Sequence, residues 1–255
     1  MFLGDTEISK AYLGDTLVFQ EGSGPEPVET MTLIRHWDGT DALTSSKWYD
    51  KVGNQYYTLT NSTHGSGYYE LLNSSPNSAA AYGTLNGTLP DMGYHWKIVA
   101  EVEVKVNTNN TAMVPIDFGS IGPVGSGKCA VCIQFGVGSH KWGIGAKFDG
   151  NSSASTYNPD YTNTLDPDFE NGVWIKRTIT LGVKESSSDS TKDVAYINVS
   201  DVGYGETPTP FTPLRFNRWD TGNYLARSRN KPSSSNKYAT SVRIYDLKVY
   251  YEPVV

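Results

Sequence analysis

Glu101 and Glu103 lie two residues apart in the run His95-Trp-Lys-Ile-Val-Ala-Glu-Val-Glu-Val-Lys-Val106. On an extended strand, residues i and i+2 share a face, so the two carboxylates are presented together. A retaining glycosidase needs such a pair about 5–5.5 Å apart, in environments unequal enough to make one an acid and the other a nucleophile. Lys97 and Lys105 stand on the same face, and a solvated charged strand explains the pattern without catalysis. Gly122-Pro-Val-Gly-Ser-Gly-Lys128 has phosphate-loop spacing, but Cys129 stands where a metal-binding Ser or Thr is needed. The residues after it, Cys129-Ala-Val-Cys-Ile-Gln-Phe135, read as a strand rather than the helix whose first amides would hold an anion. A Gly-rich hairpin turn is the expectation there.

Cys129 and Cys132 have the spacing of a zinc half-site with no second pair in the chain. They read as two reduced thiols. His36, His64, His95 and His140 show no ligand spacing. Asp166, Asp168 and Glu170, with Asp160, crowd the Pro- and Asn-rich segment 157–171, read as a loop. Ca2+ is the ion such hard oxygens would take, though the spacing fits no standard calcium loop; no other cofactor is expected. Sugar recognition needs aromatic faces beside hydrogen-bonding groups. Trp142, Tyr157, Tyr161, Trp219, Asp220 and Asn223 qualify, as residues at strand ends or in loops.

These residues need a frame, and composition specifies its kind. The chain has 255 residues, 17 Tyr, 6 Trp, 19% charged residues and a formal net charge of -6. Aromatic and β-branched residues outweigh good helix formers, which favours strands. The negative balance, without a clustered basic surface, excludes a nucleic-acid partner. No apolar run is long enough to span a bilayer, and no signal peptide is expected.

Strand signals recur every ten to twenty residues from Thr30 onward. In the run 95–106, Ile98, Ala100, Val102, Val104 and Val106 alternate with Lys97, Glu101, Glu103 and Lys105, as in a strand with one wet face. Residues 173–184 and 193–199 form a hairpin with a polar tip at 186–192. In Tyr238-Ala-Thr-Ser-Val-Arg-Ile-Tyr-Asp-Leu-Lys-Val-Tyr-Tyr251 the alternation is strict to Tyr245 and resumes one residue out of phase after Asp246, which predicts a bulge there. The expected fold is all-β, a two-sheet antiparallel sandwich.

At the other end, Leu-Gly-Asp-Thr occurs at 3–6 and again at 13–16. Gly4-Asp5 and Gly14-Asp15 are turn formers between β-prone residues, predicting two small hairpins. Glu21-Gly-Ser-Gly-Pro-Glu-Pro27 is a linker by composition. The expected division is 1–20 as an N-terminal arm, 21–29 as linker and 30–255 as the body.

The order Trp37-Asp-Gly-Thr, Trp48-Tyr-Asp-Lys-Val-Gly-Asn and Ser241-Val-Arg-Ile-Tyr-Asp-Leu-Lys-Val-Tyr resembles concanavalin A-like (laminin-G-like) jelly-roll domains. There a Trp-x-Asp-x-x-Gly segment comes early and an Ile-Arg-Ile-Tyr strand closes the sandwich. That resemblance implies the jelly-roll fold over about residues 30 to 252. It implies no single activity, because the fold hosts lectins, glycosidases and structural modules. Laminarinase-like members carry Glu-x-Asp-x-x-Glu; here Glu103 stands at the Asp and Val106 at the last Glu, so catalysis is not expected. The Leu-Gly-Asp-Thr repeat resembles the N-termini of virion proteins of tailed phages and prophages of gut bacteria, capsid and tail fibres among them, including those of crAss-like phages. It implies a non-enzymatic protein made in the bacterial cytoplasm and carried on the virion surface as a head fibre, tail fibre or decoration protein. Leu3, Gly4, Asp5, Thr6, Leu13, Gly14, Asp15 and Thr16 would attach it to capsid or tail proteins. Fibres of this kind are homo-oligomers, often trimers, and the displayed body would adhere to a glycan. A lectin-like module and a laminarinase-like hydrolase are the alternatives.

Overall fold

The computed structural model describes side chains in residues 31–72, 83–86, 93–105, 172–207, 210–213 and 241–252, and otherwise the backbone of the strands named below. No helix occurs among the described residues. The chain divides into two compact units, Met1–Met31 and Thr32–Val255. In the first, β1 (Phe2–Leu3) pairs with β2 (Thr6–Glu7), and β3 (Lys10–Leu13) with β4 (Thr16–Gln20). Leu3 faces Thr6 and Leu13 faces Thr16, so each copy of the repeat closes a hairpin across its Gly-Asp pair. The two hairpins expected from the repeat are present. Gly4, Asp5, Gly14, Asp15 and the segment 21–29 lie outside the described residues.

The second unit continues with β5 (Thr32–Asp38), β6 (Lys47–Tyr49), β7 (Tyr56–Thr60), β8 (Ser62–His64), β9 (Tyr69–Leu71), β10 (Tyr82–Asn86) and β11 (Trp96–Val106). Then come β12 (Met113–Pro123), β13 (Ala130–Gly136), β14 (Lys141–Lys147), β15 (Tyr161–Pro167), β16 (Ile175–Ser186) and β17 (Asp189–Val199). Last are β18 (Gly203–Glu206), β19 (Phe216–Trp219), β20 (Tyr224–Leu225) and β21 (Thr240–Tyr251). The largest sheet has the order β18-β17-β16-β11-β21-β9-β8, with β5 sharing the free edge of β21 beside β9. A four-stranded sheet (β20-β10-β7-β6) and a five-stranded one (β15-β14-β13-β12-β19) complete the unit. Every pairing is antiparallel, and the chain crosses repeatedly between the large sheet and the smaller two. This is the expected antiparallel jelly-roll sandwich.

The layers meet over a core read largely from alternation. Ile98, Ala100, Val102 and Val104 are at most 1% exposed, as are Ile179, Leu181, Val183, Ile197 and Val199. Trp37 meets Tyr57 at 4.8 Å between ring centroids, and Trp48 meets Tyr69 at 4.9 Å, fastening the large sheet to the four-stranded one. Each Trp removes about 150–250 Å2 from water, a gross gain of about 4–6 kcal/mol before entropy is set against it.

The bulge is where the final strand predicts it. Glu101 faces Asp246 and Val102 faces Ile244, leaving Tyr245 as the extra residue. The two motifs near the start have structural causes. Gly39 donates its N–H to the Tyr245 carbonyl at 2.7 Å, and a Cβ there would meet three backbone oxygens within 2.9 Å. Only glycine lets this turn back onto the bulge. The buried Asp50 carboxylate accepts the N–H groups of His36 (2.8 Å), Val52 (3.0 Å) and Gly53 (2.9 Å), so Asp-x-x-Gly is a loop clamp.

Two expectations are corrected. Residues 186–192 are not a loop tip: β16 runs to Ser186 and β17 starts at Asp189, with only two residues between. The polarity of residues 187–191 marks solvent exposure, whereas Ser186 is buried, and Asp189 holds the strand start by accepting from the Thr191 N–H at 2.9 Å and hydroxyl at 2.7 Å. Tyr161 and Asp166 belong to β15 rather than a loop, because the β-prone Thr162 and Thr164 pair with Gly145 and Gly143 of β14.

Candidate functional site

The side chains of greatest chemical interest occupy the outward face of the large sheet. Alternation along β11 sends Lys97, Glu101, Glu103 and Lys105 to that face. The bulge in β21 sends Tyr245 and Asp246 there in succession, beside Arg243. Tyr68 and Glu70 arrive from the β9 side and Trp174 from just before β16.

Arg243 is the centre. Its Nε donates to Glu70 Oε2 at 2.6 Å and its Nη1 to Glu103 Oε2 at 3.0 Å. The guanidinium carbon stands 4.1 Å from the Trp174 ring centroid and 4.9 Å from that of Tyr68. Tyr68 and Tyr245 are 5.2 Å apart at 54°. Lys176 lies 4.0 Å from the Tyr245 ring and 2.6 Å from Glu101 Oε1, while Lys105 approaches Trp174 at 4.8 Å. Cation–π contacts of this kind are each worth about 0.5–1 kcal/mol at exposed sites. Burial opposes the charge of Arg243, but the bonds to Glu70 and Glu103 outweigh it and hold its pKa above the ordinary arginine value. Burial, then the bond to Glu103, pushes the Tyr245 hydroxyl up to about 12. Trp174 and Tyr68 thus flank the clamped Arg243, Tyr245 lies against Tyr68 and Lys176, and three cations stand among three carboxylates.

Glu101 and Glu103 share this face, as expected, and each is ion-paired across strands. Residues i and i+2 on a strand stand farther apart than cross-strand neighbours, and Lys176 of β16 and Arg243 of β21 take the two carboxylates.

The sugar-binding candidates fall elsewhere. Trp142 is second in β14, Tyr161 first in β15 and Trp219 last in β19. They are at strand ends as anticipated, but on the five-stranded sheet. Tyr157, Asp220 and Asn223 lie outside the described residues, as do Asp168 and Glu170; Asp166 is in β15 next to Pro167. Among the described residues, no group of three or more His, Cys, Asp or Glu side chains is placed to hold a metal. Cys132 is on β13, consistent with a strand after the Gly-rich segment; Cys129 lies outside the described residues. Linear reading missed Trp174, Tyr68, Glu70, Arg243 and Tyr245. Its nearest signal was the phase slip at Tyr245, which marks an aromatic residue forced outward.

A second titratable cluster fastens the end of β21. His95 bonds Asp193 Oδ1 at 3.1 Å through Nε2 and Glu252 through Nδ1. Asp193 is 1% exposed, and its Oδ2 has no hydrogen-bond partner among the described residues. The bond to Asp193, opposed by burial and reinforced by Glu252, raises the imidazole to about 9.

No family model matches the chain, and no curated protein is significantly similar to it. Among solved structures, the carbohydrate recognition domain of Emp47p is 11% identical with a TM-score of 0.49, covering 88% of this chain and 97% of that one. Alginate lyase Aly36B is 11% identical with a TM-score of 0.48, covering 76% of this chain and 85% of its own. Trypanosoma rangeli sialidase is 11% identical with a TM-score of 0.48 over 88% of this chain, which spans only 31% of the sialidase. None of these reaches a TM-score of 0.5, and the fold stands on the sheets themselves.

Proposed function

We propose that the second unit is a non-enzymatic, lectin-like module that binds glycans on the outward face of its large sheet, carried by the N-terminal hairpins as an attachment arm. The observation behind this is the Arg243 cluster. Trp174, Tyr68 and Tyr245 offer ring faces and edges of the kind that stack on sugar rings, and Glu70, Glu103 and Arg243 are immobilised beside them as hydrogen-bonding groups. Fixing the polar groups before binding lowers the ordering cost of capture. The division into two compact units supports a separate arm. The Leu-Gly-Asp-Thr repeat supports the finer reading, a fibre or decoration protein at the surface of a phage particle.

Screening the full chain on a glycan array, followed by titration calorimetry of the best ligand, tests the binding role. Trp174→Ala should weaken that ligand at least about tenfold, the scale of one lost aromatic anchor. No binding at millimolar glycan would leave the unit a purely architectural role. Hydrolysis of a β-glucan that disappears in Glu101→Gln would replace the lectin reading with an enzymatic one.

A further inference from the structure

The outward face of the large sheet carries another aromatic–cation cluster, toward its β18 edge. Tyr196 lies over Gly182, where a Cβ would meet its ring at 2.9 Å and the Trp96 carbonyl at 2.4 Å. Its ring stacks on Tyr204 at 5.9 Å and 30°. Lys184 stands 5.7 and 5.3 Å from these two rings and 3.0 Å from Glu206, and Tyr204 is 48% exposed. Register places Tyr196 opposite Gly182, eight residues along the chain from Trp174. At about 3.3 Å per residue, roughly 26 Å separates the two clusters along β16. Between them the same face presents Thr178, Thr180 and Asn198, the last two paired across β16 and β17.

We infer that the two clusters are the ends of one binding path for an extended, neutral polysaccharide chain lying along β16. The inference rests on the glycan reading of the Arg243 cluster and deepens it. The path is long, and aromatic platforms mark both ends while hydroxyl and amide groups line the middle. The cations of the two clusters stand against carboxylates, Arg243, Lys105 and Lys176 against Glu70, Glu101 and Glu103, and Lys184 against Glu206, while Lys97, opposite Gly182 on the same face, lies 5.7 Å from the Tyr250 ring. A polyanion finds most of these cations already engaged by carboxylates, whereas a neutral polymer of sugar rings needs none. Once one end is engaged, the second contact is intramolecular and multiplies affinity without any new kind of contact.

The test uses the full chain with soluble β-1,3-glucan, β-1,4-mannan and xylan, and then a length series of oligomers from the polymer that binds. Affinity should rise at least about tenfold once the oligomer spans roughly 26 Å, and then level off. Tyr204→Ala should abolish that rise, Trp174→Ala should weaken every length, and Tyr49→Ala, on the four-stranded sheet, should match the parent chain. Length-independent binding, or an undiminished rise in Tyr204→Ala, would overturn the extended path while leaving a glycan site at Trp174. Binding of alginate in preference to all three neutral polymers would overturn the neutral ligand. Failure of every polymer and oligomer to bind would remove the glycan reading itself.

Discussion

His95 should make the stability of the second unit fall as the solution becomes alkaline. Its folded-state pKa of about 9 exceeds the ordinary imidazole value of 6.5, so the folded chain holds this proton more tightly than the unfolded one. A raised pKa contributes stability that is fully present below about pH 6.5 and is lost as pH rises through about 9. At 1.36 kcal/mol per pH unit, the contribution is on the order of 3 kcal/mol; His95 has only 23% of its side chain exposed, so solvent screening removes little of it. For a chain of this size, that corresponds to about 6 °C in melting temperature. The assay is thermal unfolding by circular dichroism at pH 6, 7.5, 9 and 10, comparing the parent chain with His95→Gln. Tyr and Lys residues titrate in both proteins and cancel in the difference. The parent should lead at pH 6 and lose its advantage by pH 10, and His95→Gln/Asp193→Asn should recover stability because the buried carboxylate no longer needs a cation. Parallel melting curves across the range would refute the linkage.

Three substitutions test the supports around the site. Asp50→Ala removes the acceptor for three backbone N–H groups at a side chain with no solvent exposure, and should cost at least about 3 kcal/mol in urea unfolding. Gly182→Ala drives a Cβ to 2.4 Å from the Trp96 carbonyl; a loss of about 1–3 kcal/mol, with displacement of Tyr196 visible in near-ultraviolet circular dichroism, is expected. Arg243→Met leaves Glu70 and Glu103, 16% and 18% exposed, without their shared cation. It should destabilise by about 2 kcal/mol, and most of that loss should return when both glutamates are changed to glutamine.

The wet and dry faces of β11 could be read directly because burial of one face imposes a period of two on side-chain polarity. Tyr245-Asp246 was legible for the same reason: an extra residue breaks the period, and the break survives in the sequence. At Ser186–Lys192 the same logic misled. Polarity reports contact with water, and here the side chains of residues 187–191 are exposed while β16 and β17 keep their pairing up to Ser186 and Asp189. The outward aromatic–cation cluster was harder still. Arg243 is held by Glu70 and Glu103, at sequence separations of 173 and 140, and His95 by Asp193 and Glu252, at 98 and 157. No linear spacing encodes such partners; only register does, and register follows from which strands become neighbours.

That dependence links the bulge to the proposed function. Without the extra residue, the part of β21 after Tyr245 would shift by one, and Leu247 and Val249 would exchange faces with Asp246 and Lys248. The core would lose two buried side chains, and the outward face would lose the hydrogen bond that joins Asp246 to His36 at 2.6 Å. The bulge instead lets one strand keep its apolar row inside while setting Arg243 and Tyr245 on the outside, within reach of Trp174 and Tyr68. The same irregularity presses its carbonyls onto Gly39 and thereby fixes the early Trp-Asp-Gly-Thr turn. The core and the outward aromatic cluster are therefore two consequences of a single register, and a sequence that preserved one while slipping the other could not close this sandwich.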